Sequence, residues 1–454
     1  MLSSDEIRTL FSRAMSNMYR AEVPQYGALI DLVAEVNEAT RSTNRELDRR
    51  LESNAETQRL SLERHGAIRL ATPGELATIR RLFRVMGMYP VGYYDLSVAG
   101  VPVHATAFRP LEQSALRANP FRVFTSLLRL DLISDANLRT EAEAILARRE
   151  IYSRRCVELI EQAEREGGLN EGAAQEFVSE ALNTFRWHSE STVSAETYKR
   201  LRAAHPLIAD VVCFKGPHIN HLTPRTLDID LVQQRMGDFD IVSKAVIEGP
   251  PRRKVPILLR QTSFKALEER IAFRSATGGE PEDGMHTARF GEVEQRGVAL
   301  TPKGRLLYDR LLQDVRGDVQ VTADGANADA YEAALAERFK QLPDDEEALR
   351  AQGLAYFIYI PTGKPIPREG MGLDELLANG ILRAEPITYE DFLPVSAAGI
   401  FQSNLGDESQ QNYLARAAQS AFERALGGSV ADAFALYQAA EDASIAASRK
   451  GLPA

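Results

Sequence analysis

An α+β protein organised around sheet is what the sequence predicts, and three observations carry the prediction. Short apolar or alternating segments, the pattern of strands, gather in two blocks, residues 65–130 and 206–310. In each block they surround a helix-periodic segment, so each reads as a half of β-α-β-β type. Helix-periodic sequence fills the rest: 1–64 ahead of the first block, 131–205 as an insertion between the blocks, and 311–454 as a mostly helical C-terminal region. At 454 residues the chain has room for more than one core, or for one core with large insertions.

The elements follow in order. Ser3 and Glu6 have capping-box spacing and start a helix whose apolar face is Leu10, Phe11, Met15, Met18 and Tyr19. Pro24 and Gly27 part it from a second helix carrying Leu29, Leu32, Val33 and Val36. Residues 65–70 alternate and run into Thr72-Pro73-Gly74, a strand and its turn. A helix over 75–88 and strands over 89–95 and 101–108 complete the first half. In the insertion, Leu138 to Ala163 form one apolar helical stripe closed by Gly167-Gly168, and Phe177 to Phe185 form another. His188 and His205 read as surface or packing residues. Strand character returns over 209–223 and 255–261; 264–270 reads as a short helix, 278–284 as a loop and 286–297 as one strand. Further on, 352–360 reads as a buried strand and 393–400 as a small-residue loop suited to close backbone approach. Helices over 408–426 and 429–449 end the region.

Composition excludes several classes. Hydrophobic residues make up 44% and charged residues 26%, as in ordinary globular proteins, and no apolar run is long enough to span a membrane. A net charge of −10 argues against a general nucleic-acid binder, which needs a basic face. It leaves room for a small anionic substrate held by one arginine. Two cysteines, Cys156 and Cys213, build no disulfide framework and fit a reducing cytoplasm, and the charged N-terminus lacks the apolar core of a signal peptide.

The chemistry-bearing stretch is 211–225, where His218 and His221 fall three apart in a chain with seven histidines. Residues three apart on a strand point to opposite faces, so a strand would deliver only one of them to a given site. His65, Ala67 and Arg69 share a face of their strand, with the outer two Cα atoms about 13 Å apart. That face suits a metal at one end and a carboxylate at the other, with a short substrate between them. Glu292 and Glu294 also share a face, and two carboxylates so placed need a nearby cation: Arg289, Arg296 or a metal. His65, either His218 or His221, and either Glu292 or Glu294 would make a two-histidine, one-carboxylate set. Such a set leaves coordination positions open and points to non-haem Fe(II) oxygen chemistry.

Several long motifs extend this reading. The stretches 64–69, 214–225, 290–297 and 389–399, together with 86–95, resemble the bacterial 2-oxoadipate dioxygenase/decarboxylase family, also called hydroxyglutarate synthases. The resemblance covers nearly the full length. It implies a vicinal-oxygen-chelate-like metal core with helical additions. It also implies Fe(2+) held by His65, His221 and Glu292, and a substrate contacted by Arg69 and by the neighbourhood of Val395. His218 and Glu294 then become candidates for holding the ligands from behind. The activity implied is conversion of 2-oxoadipate and O₂ to 2-hydroxyglutarate and CO₂, a step of lysine catabolism; the cysteine usage above places it in the cytoplasm. Two other readings fit the same residues. One is an O₂-independent lyase or isomerase using Zn²⁺ or Mn²⁺; the other is a non-enzymatic metal- or metabolite-binding protein.

Overall fold

The computed structural model describes the chain except residues 54–55, 276–277, 320–321, 323–325, 366–369, 394–407 and 451–454. The helices are α1 (Ser4–Glu22), α2 (Pro24–Thr43), α3 (Arg45–Ser53), α4 (Glu56–Leu62), α5 (Pro73–Val85), α6 (Gln113–Ala118), α7 (Ala136–Leu146), α8 (Arg154–Glu166), α9 (Glu171–Asn183), α10 (Ala195–Ala204), α11 (Pro206–Val212), α12 (Ile229–Arg235), α13 (Pro302–Asp318), α14 (Ala328–Arg338), α15 (Glu346–Ala351), α16 (Leu373–Ala378), α17 (Glu408–Leu426) and α18 (Ala433–Lys450). The strands are β1 (Arg64–Leu70), β2 (Tyr89–Asp95), β3 (Val103–Arg109), β4 (Arg122–Leu128), β5 (His221–Pro224), β6 (Leu259–Ser263), β7 (Glu268–Phe273), β8 (Glu282–Thr287), β9 (Glu292–Arg296), β10 (Phe357–Pro361) and β11 (Leu382–Pro386). This is the mixed α+β architecture that the sequence predicts.

The chain divides into two compact units. The first comprises Met1–Lys244, Gln261–Glu294 and Ile400–Val430. At its centre is a five-stranded sheet of order β2-β3-β4-β1-β5. β1 runs parallel to β4 and antiparallel to β5, and the other pairs are antiparallel. The register sets the site. His65 lies opposite Thr223 and Ala67 opposite His221, so the side chains of His65, Ala67, Arg69, His221 and Thr223 share one face. Helix α1 starts at the expected Ser3/Glu6 capping box. Its Tyr19 hydroxyl lies 3.0 Å from the Asn220 carbonyl and 2.8 Å from the Phe290 carbonyl, directly before the strands that carry His221 and Glu292. On the insertion side, α7, α10 and α11 bury Leu138, Ala142, Leu146, Tyr198, Leu201 and Val212 in one cluster with Val103 and Leu128 of the sheet.

The second unit comprises Ala245–Arg260, Gln295–Gly399 and Ala431–Ala454. Its antiparallel pair β10–β11 has an edge covered by α18, where Glu441 accepts from the Phe357 amide and Ser444 from the Tyr359 amide. That satisfies donors which an open sheet edge would leave bare. A Cβ on Gly304 would sit 2.0 Å from the Leu354 carbonyl oxygen, so only glycine lets α13 approach there.

Several expectations need correction. The strand over 209–223 is mostly helix and loop: α11 takes 206–212 and β5 begins only at His221. Pro206 stands at the first turn and the His205 ring caps the helix, its Nδ1 accepting from the Leu207 amide. A four-residue apolar run cannot by itself tell a buried strand from a buried helix. The short helix over 264–270 is replaced by β7, which pairs with β8, and β8 already begins at Glu282 inside the expected loop. The single strand over 286–297 is two, broken at 288–291. The first half carries one strand more, β4, than a β-α-β-β order requires. The stripe from Leu138 to Ala163 belongs to two helices with a Ser153 cap between them.

Cys156 and Cys213 are buried free thiols. Burial pushes the Cys156 thiol up to about 12, which makes it a poor nucleophile. The melting temperature should therefore be the same with and without reductant; a fall of several degrees under reductant would contradict this assignment.

Candidate metal centre

Three elements converge on one point. β1 brings His65, β5 brings His221 and β9 brings Glu292, and one ligand atom from each lies within 4.8 Å of the others. The Glu292 Oε2 atom is the hub, at 3.2 Å from His65 Nε2 and 3.7 Å from His221 Nε2. Gln261 Nε2 donates to the same oxygen at 2.8 Å and Thr223 Oγ1 at 3.2 Å. Two neutral donors fix the rotation of the carboxylate without neutralising it. The two imidazole rings meet edge to face, with centroids 5.2 Å apart.

The electrostatics prepare these groups unequally. Burial pushes His221 down to about 4, only partly opposed by Glu292, so its ring is neutral at physiological pH. Burial also works against the charged form of His65, but Glu294 and Glu292 outweigh it and hold that ring above its ordinary value. Glu292 is held low, because His221 and His65 outweigh its own burial. Glu294 lies on the far side of His65, its Oε2 2.8 Å from Nδ1. A proton kept at Nδ1 by that carboxylate leaves Nε2 facing the other ligands, the arrangement that orients a metal-binding histidine.

The residues fit a metal ion on an observation independent of their spacing. Among the described residues neither ring nitrogen of His221 has a hydrogen-bond partner, although both are shielded from solvent. A buried polar group without a partner is costly; a cation at the hub would give one of the two nitrogens a partner. Two imidazoles and one carboxylate suit a divalent transition metal and leave open positions.

The other predicted residues fall as follows. Arg69 shares the face of His65 and donates from Nη1 to Asp210 Oδ2 at 2.6 Å. Among the described residues its remaining guanidinium N–H groups have no protein partner. His218 precedes β5 and turns to Asp210, with Nε2 3.3 Å from Oδ1, not to a ligand residue. The proposed cations for the carboxylate pair are engaged elsewhere: Arg289 pairs with Glu22 and Glu269, and Arg296 donates to the Tyr389 and Asp391 carbonyls. His65 itself lies between the two carboxylates. The Phe264 ring packs against Gly291, where a Cβ would meet it at 2.0 Å. Val395 lies outside the described residues, as does all of the loop near 393–400 except Leu393.

Sequence reasoning missed Thr223, Gln261 and Asp210. Thr223 was within reach, being two residues beyond His221 on one strand. Asp210 had a signal too: a lone carboxylate inside Ile208-Ala209-Asp210-Val211-Val212 has to be paired if that run is buried. Gln261 carried no local signal.

If Glu294 holds His65 in place, Glu294→Gln should weaken metal affinity about 10–100-fold while leaving the site able to load. Titration of apo protein with Fe(II) or a spectroscopic surrogate checks this, and unchanged affinity would contradict the orienting role.

The chain is similar to known proteins over nearly its full length. The family model described as 2-oxoadipate dioxygenase/decarboxylase matches residues 11–404. A 2-oxoadipate dioxygenase/decarboxylase of Escherichia coli is 56% identical over 448 residues, covering 98% of each chain. One from Mycobacterium bovis is 41% identical, over 90% of this chain and 89% of its own. The crystal structure of the hydroxyglutarate synthase of Pseudomonas putida in complex with 2-oxoadipate superimposes with a TM-score of 0.91 at 54% identity, covering 99% of this chain and 98% of that one. The chain belongs to the 2-oxoadipate dioxygenase/decarboxylase family.

Proposed function

We propose that this chain is an Fe(II)-dependent oxygenase that converts 2-oxoadipate and O₂ to 2-hydroxyglutarate and CO₂, acting in lysine catabolism in the cytoplasm. The observation that carries the reading is the convergence of His65, His221 and Glu292, with the His221 nitrogens unpartnered among the described residues, in a chain 56% identical to a protein named for this activity. The relative solved with 2-oxoadipate supports the substrate class. Two buried free thiols suit a reducing compartment, and no helix among the described residues is long and apolar enough to cross a membrane. The vicinal-oxygen-chelate-like description has topological support. β1-α5-β2-β3-β4 closes with its first and last strands parallel, and an isolated parallel bridge, Arg225 to Glu294, repeats that relation between the residue following β5 and β9.

His65, His221 and Glu292 would hold the iron. When bound, Fe(II) supplies the anchorage for a 2-oxo acid and the electrons that activate O₂. The protein's own groups do the rest. Glu294 keeps the His65 proton on Nδ1, and Gln261 and Thr223 hold the Glu292 carboxylate in one rotation. Burial of these groups keeps bulk water from the reacting atoms. Arg69 binds the far carboxylate of the substrate through the guanidinium edge that Asp210 does not occupy. The balance closes without a further co-substrate. The C1–C2 bond breaks and C1 leaves as CO₂ with its own oxygens; one oxygen of O₂ completes a carboxyl at C2, and the other enters C3 as hydroxyl.

Anaerobic loading with Fe(II), followed by 2-oxoadipate and air, should consume O₂ and release CO₂ in equal amounts. Turnover without O₂ uptake, with Zn²⁺ or Mn²⁺ in place of iron, would favour a lyase or isomerase. Binding without turnover under any metal would favour a non-enzymatic role.

A further inference from the structure

Behind Arg69 lies a buried network that the proposed reaction does not use directly. Asp210 on α11 is 5% exposed. Its Oδ2 takes Arg69 Nη1 at 2.6 Å. Its Oδ1 lies 2.9 Å from His286 Nε2 and 3.3 Å from His218 Nε2. His286 is fixed in turn, with Nδ1 2.9 Å from the Tyr198 hydroxyl. One proton arrangement satisfies that chain: the Tyr198 hydroxyl donates to Nδ1, and Nε2–H donates to Asp210. Trp187 stacks parallel to the His286 ring at 6.1 Å and meets His218 edge-on at 4.7 Å. Burial pushes the Asp210 carboxyl up, but the His218 ring and the Arg69 guanidinium outweigh it and hold the group well below the usual carboxylate range. Arg69 is thus the half-buried end of an otherwise buried assembly.

We propose that Asp210, braced by His286 and His218, is the positioning residue that sets the length of 2-oxo dicarboxylate this protein accepts. The proposal rests on the reading of Arg69 as the clamp for the distal carboxylate. An arginine side chain has four rotatable bonds, and left free its guanidinium could follow the distal carboxylate of a shorter or longer acid. Tied at Nη1, it presents one edge at one place. Binding then rewards a single separation between the 2-oxo group and the far carboxylate, and the entropy of fixing Arg69 is lost before the substrate arrives. Asp210 does not touch the reacting atoms; it acts through Arg69.

The test uses two variants. Asp210→Ala removes the whole brace. Asp210→Asn is nearly isosteric: its carbonyl oxygen can stay on His286, while its amide places donor against donor at Arg69 Nη1, so the fold is kept and the arginine is released. Dissociation constants for 2-oxoglutarate, 2-oxoadipate and 2-oxopimelate are measured by calorimetry on anaerobic Fe(II)-loaded protein, beside kcat and KM in air. The native protein should prefer the six-carbon acid. Asp210→Asn should weaken 2-oxoadipate binding about 10–100-fold, as expected for loss of a buried charged hydrogen bond. The five- and seven-carbon acids should change far less, so that the preference collapses, with the loss in KM and little change in kcat. An equal loss for all three acids, or none, would overturn the proposal, because a merely structural defect does not sort ligands by length. If the native protein binds the acids selectively but turns none over, and the variants lose that selectivity, the positioning role stands and the proposed reaction falls. If the native protein turns over 2-oxoadipate and the variants keep its preference, the reverse holds. If no dicarboxylate binds the native protein, both fail.

Discussion

Alanine at His65, His221 or Glu292 is expected to abolish metal binding at the centre, and with it turnover. Each residue comes from a different strand and supplies one atom to a cluster spanning 4.8 Å, so no neighbour can replace it. The loss should exceed the roughly 10–100-fold that removing a ligand's hydrogen-bond partner costs. His218→Ala serves as the contrast. Its ring faces Asp210, not Glu292, so the variant should load iron like the native chain while its substrate affinity falls through Arg69. Metal content after anaerobic loading, measured by elemental analysis, reads the difference directly. Retention of iron by His221→Ala together with its loss in His218→Ala would overturn the ligand assignment.

Arg69→Ala is expected to lower kcat/KM for 2-oxoadipate by roughly 30- to several-thousand-fold. That range follows from about 2–5 kcal/mol for removing one partner of a charge pair withdrawn from water. A surface pair would contribute only about 0–1 kcal/mol. Arg69→Lys should also lose substantially, since a lysine cannot hold Asp210 with one nitrogen while offering a two-pronged edge to a carboxylate. For 2-oxohexanoate, which lacks the distal carboxylate, the native protein should be poor and Arg69→Ala little worse. Additive losses in this double cycle would mean that Arg69 supports the strand or the metal site and does not clamp a carboxylate.

How much of this was legible in the sequence differs by kind of feature. Where the pattern was long and periodic it served well: the capping box at Ser3, the alternation of β1 and the two C-terminal helices are found where the sequence places them. The shared face of His65, Ala67 and Arg69 follows from period two alone, and β1 runs unbroken through all three. Short segments failed where tertiary context decides. The apolar 209–213 stretch closes a helix, because its burial on all sides looks the same for strand and helix. The charged 264–270 stretch enters a strand because β8 pairs with it, which no local signal records. For the site, spacing could propose a histidine pair and a carboxylate pair but could not choose within either. The choice of His221 and Glu292 came from family resemblance, and the structure gathers those two with His65, leaving His218 on Asp210 and Glu294 behind His65. A partner such as Gln261 stays invisible to sequence reading, because it reaches Glu292 across a separation that no local pattern records.

The measurement that tests the central claim most directly is turnover of 2-oxoadipate by the Fe(II)-loaded protein under ¹⁸O₂, read by product mass. Oxidative decarboxylation with hydroxylation of the adjacent carbon puts both atoms of O₂ into 2-hydroxyglutarate: one in the new carboxyl, one in the hydroxyl. The predicted result is doubly labelled 2-hydroxyglutarate with unlabelled CO₂, lost when Glu292 is replaced by alanine. Product without label, or turnover that continues without O₂, would contradict the account.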